Sequence, residues 1–313
     1  MTNRHSTHEV RNPAWSIADV HNHYSYGNSH ADLYRYLSQW SDLETYLNVG
    51  YSSSGQRHLH PSSHLRLIDH LSTHLLALHA AGPHAKENYL LDIASGRGGP
   101  AIYAHQRYGL KVLGIDITFY NLELAIHNAR EQGVCPQVCF AMGNAQALPL
   151  SNGSFSLAWS IESPAHFPDK PAFLREAGRV LKPDGVLAFA DLLAVDEVAT
   201  ASVENRRIYD AFLQVWDVPY LESASSYQQA IADTGFELHQ AEIITEFNLA
   251  ILQRYCHWFL RLFQPRLLYH LYKHYIRWRT GADLANVYQH VLTSYQALQL
   301  GMIDYGLFWC VRR

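Results

Sequence analysis

Three glycines and two acids pose the first chemical question. In LLDIASGRGGPA (90–101), Gly96, Gly98 and Gly99 permit a tight turn and close backbone approach to a ligand. Gly96-x-Gly98-x-x-Ala101 fits the G-x-G-x-x-G/A pattern of strand-to-helix turns that hold nucleotides. Asp116 follows Gly96 by 20 residues, the spacing of a carboxylate that accepts hydrogen bonds from ribose hydroxyls. The plainer alternative, a glycine turn with a capping acid, leaves that distance to chance. Asp92 argues against a nicotinamide cofactor, because a carboxylate aimed at the first turn opposes a pyrophosphate. It suits loop amides or a cationic group instead. In GNAQALPL (143–150), the Asn144 carbonyl is placed to accept from an adenine amino group, and the Ala145 N–H to donate to adenine N1. An ordinary Asx turn explains the same residues without a ligand.

A second set could move a proton. Glu162 ends FSLAWSIE (155–162), His166 follows four residues later, and Asp191 stands near the end of GVLAFADLL (185–193). A neutral imidazole, with an ordinary pKa near 6.5, can take the proton of a hydroxyl as that oxygen attacks an electrophile. With 20 His in the chain, the default for any one of them is surface or core; its position singles out His166. Asp191 orients the imidazole, touches substrate or caps a helix. Glu162 caps the loop, holds the cofactor or orients His166.

These residues need a scaffold that brings strand ends together. Short apolar runs at 89–94, 111–116, 137–143, 155–162 and 185–193 alternate with helical segments, which predicts a parallel sheet covered on both faces. Pro100 suits the first turn of one helix, and Thr118 and Asp169 are caps for two others. In such a sheet the carboxyl ends of the central strands face one crevice, where Glu162, His166 and Asp191 converge. Upstream, 30–48 and 62–80 read as helices, the second ended by Gly82-Pro83. Downstream, 200–215 and 225–234 are helical, FELHQAEIITEF (236–247) resumes the sheet, 249–300 is mostly helical, and 303–312 is a last strand.

Composition bounds the answer. The 313 residues suit one α/β domain of about 200 residues with ~100 residues of additions. Apolar residues make up 48% and charged residues 17%, which excludes a disordered chain. The net charge of −4 gives no footprint for nucleic acid, and no N-P-P-Y-like motif offers one. Four cysteines make no disulfide framework. The polar start and the lack of a long apolar run point to a cytoplasmic location without stable membrane insertion.

The sequence pattern resembles the class I S-adenosylmethionine-dependent methyltransferases. LLDIASGRGG, GID (114–116), GNAQALPL and SFSLAWSIESPAHFPDKPAFLREAGRVLKPDGVLAFAD (154–191) carry the resemblance in the right order over about 89–192. It looks most like the small-molecule, natural-product branch, and over its length is similar to cyanobacterial toxin-tailoring O-methyltransferases. The resemblance implies a doubly wound α/β fold: a seven-stranded, mostly parallel sheet with one antiparallel edge strand, a helical N-terminal lid and helical cap insertions. It implies S-adenosylmethionine as cofactor, held by Asp92, Ala94, Gly96, Gly98, Asp116, Ile117, Asn144 and Ala145. Asn144 stands where the family commonly has Asp, which keeps an acceptor and loses a charge. Ser156, where strand four usually shows Asp, has no functional reading.

On that resemblance, residues 1–87 form the arm and lid, 88–195 the cofactor core, and 196–313 the rest of the sheet with cap helices at 196–224 and 249–300. Tyr24 and Tyr26 are the lid residues expected to reach substrate. The expected reaction is O-methylation of a sizeable secondary-metabolite hydroxyl, with His166 as base and Asp191 and Glu162 beside it. The substrate is a small molecule, free or tethered to a carrier protein, and no metal is needed. The rivals are a C-methyltransferase of a lipid or quinone at a membrane surface, and a methyltransferase-fold cyclase or scaffold.

Two features stand apart. His70 and His74 have ligand-compatible spacing, but solvated histidines on an outer helix face are the favoured reading; Cys135 and Cys139 are read as structural. Residues 249–313 hold eight Lys+Arg against two Asp+Glu, a local +6 that leaves −10 for the remainder. Their aromatic stretch 255–280 walls a pocket, lies on a membrane or packs as core helix with a solvated outer face. Its place before the last strand favours the pocket over the membrane.

Overall fold

The computed structural model describes residues 50–51 and 63–313. The expected helix at 30–48 and the lid residues Tyr24 and Tyr26 lie outside the described residues.

Seven strands form one sheet: β1 (Tyr89–Ile93), β2 (Lys111–Asp116), β3 (Val138–Met142), β4 (Phe155–Ile161), β5 (Leu181–Ala194), β6 (Phe236–Ile243) and β7 (Ile303–Arg312). Their order is β3-β2-β1-β4-β5-β7-β6. β1 to β5 run parallel, and β7 is antiparallel to both of its neighbours. The antiparallel strand therefore sits one position in from the edge, not at the edge as expected. β6 holds the edge and reaches the sheet through β7. The chain winds outward from β1 to β3 and returns at β4, so β1 and β4 flank the switch point where such sheets open a ligand crevice.

Nearly continuous apolar strands explain this sheet. All seven residues of β4 are buried, and most of β5 and β7 with them. Alternation splits β1 between two cores: Leu90 faces one side, Leu91 and Ile93 the other. β5 starts earlier than the apolar run suggested. Its pairing with β4 skips from Leu181 to Val186, and Asp184, at φ 60°, sits in the resulting bulge.

Helices cover both faces. α1 (Ser63–Ala81) buries Leu67, Ile68, Leu71 and Leu75 at helical spacing, and Trp309 of β7 donates its indole N–H to the Leu71 carbonyl at 2.9 Å. α2 (Gly99–Tyr108), α3 (Phe119–Glu131) and α4 (Lys170–Val180) follow β1, β2 and β4. Asp169 caps α4 by accepting from the Ala172 N–H, as expected; Thr118 precedes α3 without a side-chain cap bond. α5 (Val203–Val215) and α6 (Ala224–Asp233) follow β5, and α7 (Leu249–Phe263), α8 (Arg266–Thr280) and α9 (Leu284–Gln299) lie between β6 and β7. These last three share a small core of their own around Cys256, Phe263, Ile276 and Val287.

His70 and His74 are not solvated on an outer face. His70 stacks on Tyr51 and bonds Glu242 of β6 at 2.7 Å, and His74 packs edge-on against Trp309. Together they fasten α1 to the outer strands. Among the described residues, no helix is long and apolar enough to cross a membrane.

Candidate active site

Backbone strain marks the crevice. Ala94 and Glu162, directly beyond β1 and β4, both hold left-handed φ angles, 60° and 54°. Non-glycine residues adopt this region rarely and at a cost of order 1 kcal/mol or more. Two such residues at adjacent strand ends re-aim the backbone at the switch point. The glycine turn continues the pattern, with Gly96 at φ 53° and Gly98 at φ 81°. At Gly98 a Cβ would come within 2.5 Å of the Phe140 ring, so the turn is packed as well as bent.

An open cleft at this end of the sheet is lined by Ala94, Ile117, Asn144, Ala145, His166 and Phe167, among others. The structure thus brings together four of the expected cofactor residues and the expected base. Asp116 lies under the turn. Its Oδ2 accepts from the Gly96 N–H and its Oδ1 from the Thr118 N–H, both at 2.8 Å. Burial raises its pKa to about 6 against those two bonds. Asn144 closes the Asx turn: Oδ1 accepts from the Gln146 N–H and its main-chain carbonyl from Ala147 N–H, both at 2.9 Å. Gln146 in turn accepts from the Asp169 N–H at 2.7 Å, tying this loop to the start of α4.

Asp92 is buried in β1, and its Oδ2 has no hydrogen-bond partner. Burial lifts its pKa to about 7; the Trp159 indole pulls it down and the Asp116 charge pushes it further up. Two buried carboxylates under one turn, with the Asp116 charge adding to the cost of ionising Asp92, form a place that favours a cationic ligand group.

His166 closes a short turn, Pro164–His166, and is buried. Its Nδ1 lies 3.3 Å from the Asp217 carbonyl. A carbonyl only accepts, so this long bond favours the tautomer with the proton on Nδ1 and the lone pair on Nε2. Asp191 does not orient the imidazole through a hydrogen bond. It is fully buried, with Oδ1 accepting from the Ala165 N–H at 2.9 Å and Oδ2 from the Tyr227 hydroxyl at 2.6 Å. Burial raises its pKa to about 7, opposed by the nearby Lys170 charge. Asp191 therefore holds the turn that carries His166. Glu162 accepts from the buried Tyr305 hydroxyl at 2.6 Å, which anchors the strained end of β4 to β7.

Sequence reasoning missed Lys170. It is fully buried, and its Nζ donates to the carbonyls of Tyr220, Phe167 and Ala165 at 2.8, 3.2 and 3.3 Å while lying 3.6 Å from the Tyr220 ring centre. Asp191 and Lys170 thus grip the residues on either side of His166. One signal was available: a lysine in the first turn of a helix opposes the helix dipole, so it needs another reason to be there.

The strand order, the glycine turn and the Asp116 pairing define a doubly wound α/β domain with a nucleotide-type turn at its switch point. Residues 91–189 match the family described as methyltransferase domain. Methyltransferase GfsG of Streptomyces halstedii is 33% identical over 160 residues, 50% of this chain and 55% of that protein. The 27-O-demethylrifamycin SV methyltransferase of Amycolatopsis mediterranei is 34% identical over 159 residues, 51% of this chain and 57% of its own. The chain spans about half the length of these curated relatives. Among solved structures, geranyl diphosphate C-methyltransferase from Streptomyces coelicolor, in complex with S-adenosyl-L-homocysteine, superposes with a TM-score of 0.67 at 17% identity, over 95% of this chain and 97% of that one. The [4+2]-cyclase SpnF gives a TM-score of 0.67 at 18% identity, over 90% and 94% of the two chains. At these identities the structural likeness shows the fold.

Proposed function

We propose that this protein transfers the methyl group of S-adenosylmethionine to a hydroxyl oxygen of a sizeable secondary metabolite, with His166 taking the hydroxyl proton. The observation that carries the reading is that His166 is buried in the same cleft as Ala94, Ile117, Asn144 and Ala145. The name of one curated relative, the 27-O-demethylrifamycin SV methyltransferase, supports it.

The residues fit the cofactor. When bound, S-adenosylmethionine supplies a methyl group already activated on a positively charged sulfur. Asp92, with a buried unpartnered oxygen, supplies negative potential under the turn for its cationic half. Asp116 has lone pairs left after its two backbone bonds and serves the ribose hydroxyls. Ile117 and Ala145 give the base an apolar bed, and Gly96 and Gly98 let the backbone approach.

His166 does the proton work. An alcohol is a far weaker acid than imidazolium, so the proton must leave while the new O–C bond forms. The tautomer with the lone pair on Nε2 has the correct form for this. Asp191 and Lys170 hold the flanking peptides and so act as positioning residues. The substrate is free or carrier-bound. The chain works in the cytoplasm.

The test uses a methyl-labelled donor, a metabolite extract and mass spectrometry of the products. A labelled O-methyl product is expected, and His166→Ala should lower its turnover by about 10²-fold with cofactor affinity unchanged. Full turnover by the variant would remove His166 from the chemistry. A label on carbon would favour the C-methylation rival, and cofactor binding without methylated product would favour the cyclase.

A further inference from the structure

We propose that the α7–α8 hairpin is a docking surface for an anionic lipid bilayer. Its inner side is accounted for. Cys256, Phe263 and Ile276 are buried in the small core they share with Val287 and Val291 of α9. The outer side is apolar as well, and it is covered by nothing among the described residues. Trp258 and Leu262, one helical turn apart on α7, are 70% and 53% exposed. On α8, Leu267, Leu271, Tyr275 and Trp278 recur at three- and four-residue steps along one face, with Leu267 70% and Trp278 80% exposed. A soluble surface rarely displays two largely bare tryptophans beside a run of leucines. These side chains do not line the cleft that holds His166.

Charge selects the occupant. Residues 249–280 hold six Lys or Arg and no Asp or Glu. Arg254, Arg261, Arg277 and Arg279 are exposed, and no carboxylate pairs with them among the described residues. Cations flanking a Trp- and Leu-rich stripe, on helices that lie along the surface, form the pattern of an in-plane interfacial anchor. A second copy docking on this face about a two-fold axis would set each hairpin's cations against the other's. An anionic bilayer satisfies both the apolar stripe and the cations at once.

The hairpin also connects to the cleft. His257 of α7 bonds the Tyr295 hydroxyl of α9 at 3.0 Å. Ser294 of α9 accepts from the Trp216 indole at 2.9 Å, and the next residue, Asp217, offers its carbonyl to His166. A bilayer against the hairpin therefore bears on the layer that touches the base. This inference rests on the exposed face alone and stands whichever atom is methylated.

The experiment is co-sedimentation of the full chain with extruded phosphatidylcholine vesicles, with and without phosphatidylglycerol. Binding to the phosphatidylglycerol vesicles is expected, with a blue shift of tryptophan fluorescence and loss of binding at high salt. Binding to pure phosphatidylcholine should be much weaker. Neutralising Arg277 and Arg279 together (Arg277→Gln, Arg279→Gln) should weaken binding by about fivefold per residue. Trp258→Ala with Trp278→Ala should cut it at least tenfold, with cofactor affinity unchanged as the check on folding. Failure of the full chain to bind anionic vesicles would overturn the proposal, as would equal binding by the double tryptophan variant. A stable dimer in solution that this variant splits into monomers would also overturn it, by assigning the face to a second copy.

Discussion

Asp92→Asn should make the unliganded protein more stable and a worse cofactor binder at the same time. In the folded chain the Asp92 pKa stands at about 7 against an ordinary 3.8, and burial is the main cause. The sign follows from linkage. Between about pH 4 and 7 the folded state holds a proton that the unfolded state has lost, so raising pH costs stability across that window; above about 7 the loss is complete. At 1.36 kcal/mol per pH unit the shift sets a ceiling of about 4 kcal/mol at pH 8, and relaxation around the charge brings the expected gain to about 2–4 kcal/mol. An asparagine carries no charge to desolvate, and its amide replaces a neutral acid that is equally short of partners. The variant should therefore melt roughly 3–6 °C above the parent at pH 8. At pH 5.5 the gap should shrink to about half, because the parent then retains much of its proton. Calorimetric titration with S-adenosylmethionine should show at least tenfold weaker binding by the variant, since the negative potential under the turn is gone. A variant no more stable than the parent at pH 8, or a gap that does not change between the two pH values, would refute this account of Asp92.

Three further outcomes follow from the geometry. Lys170→Met leaves three carbonyls without their donor and Asp191 without its neighbouring cation, so it should destabilise by about 3–5 kcal/mol in chemical denaturation. Below its melting point it should lose kcat rather than cofactor affinity, while Lys170→Arg recovers neither the stability nor the kcat fully because the buried site is cut to an ammonium. Gly98→Ala puts a methyl into the Phe140 ring at a left-handed position, and a loss of about 2 kcal/mol or more with weaker cofactor binding is expected by thermal melting and calorimetry. Asp116→Ala should weaken cofactor binding at least tenfold; intact binding by calorimetry would remove Asp116 from the ribose site.

The central sheet was readable because burial on both faces forces long apolar runs, and five parallel strands show them. The spacing from Gly96 to Asp116 was readable for the same reason: one crossover helix and one strand of ordinary length set it. What failed were facts about the third dimension. Whether β7 enters beside β5 or at the edge depends on packing that a linear pattern does not record. Asp191 reads as a strand-end acid whether it faces substrate or, as observed, the Ala165 amide. Lys170 looks like a solvated helix residue until the backbone of Tyr220, fifty residues on, folds over it. The aromatic stripe of α7 and α8 has helical spacing on both sides, so periodicity could not tell the covered face from the bare one.

The position of β7 bears on how the chain reaches its native state. β6 joins the sheet only through β7, and residues 244–302 separate the two in sequence. During synthesis β1 to β5 can therefore collapse as a parallel unit while the far edge of β5 waits without its neighbour. β6, already made, has no strand to pair with until β7 slots between them. Such late, non-local pairing is slow, and the open β5 edge is exposed to other chains meanwhile. Removing β7 would thus release two strands from the sheet rather than one, and variants that weaken its fit should reveal themselves first as poor folding yield.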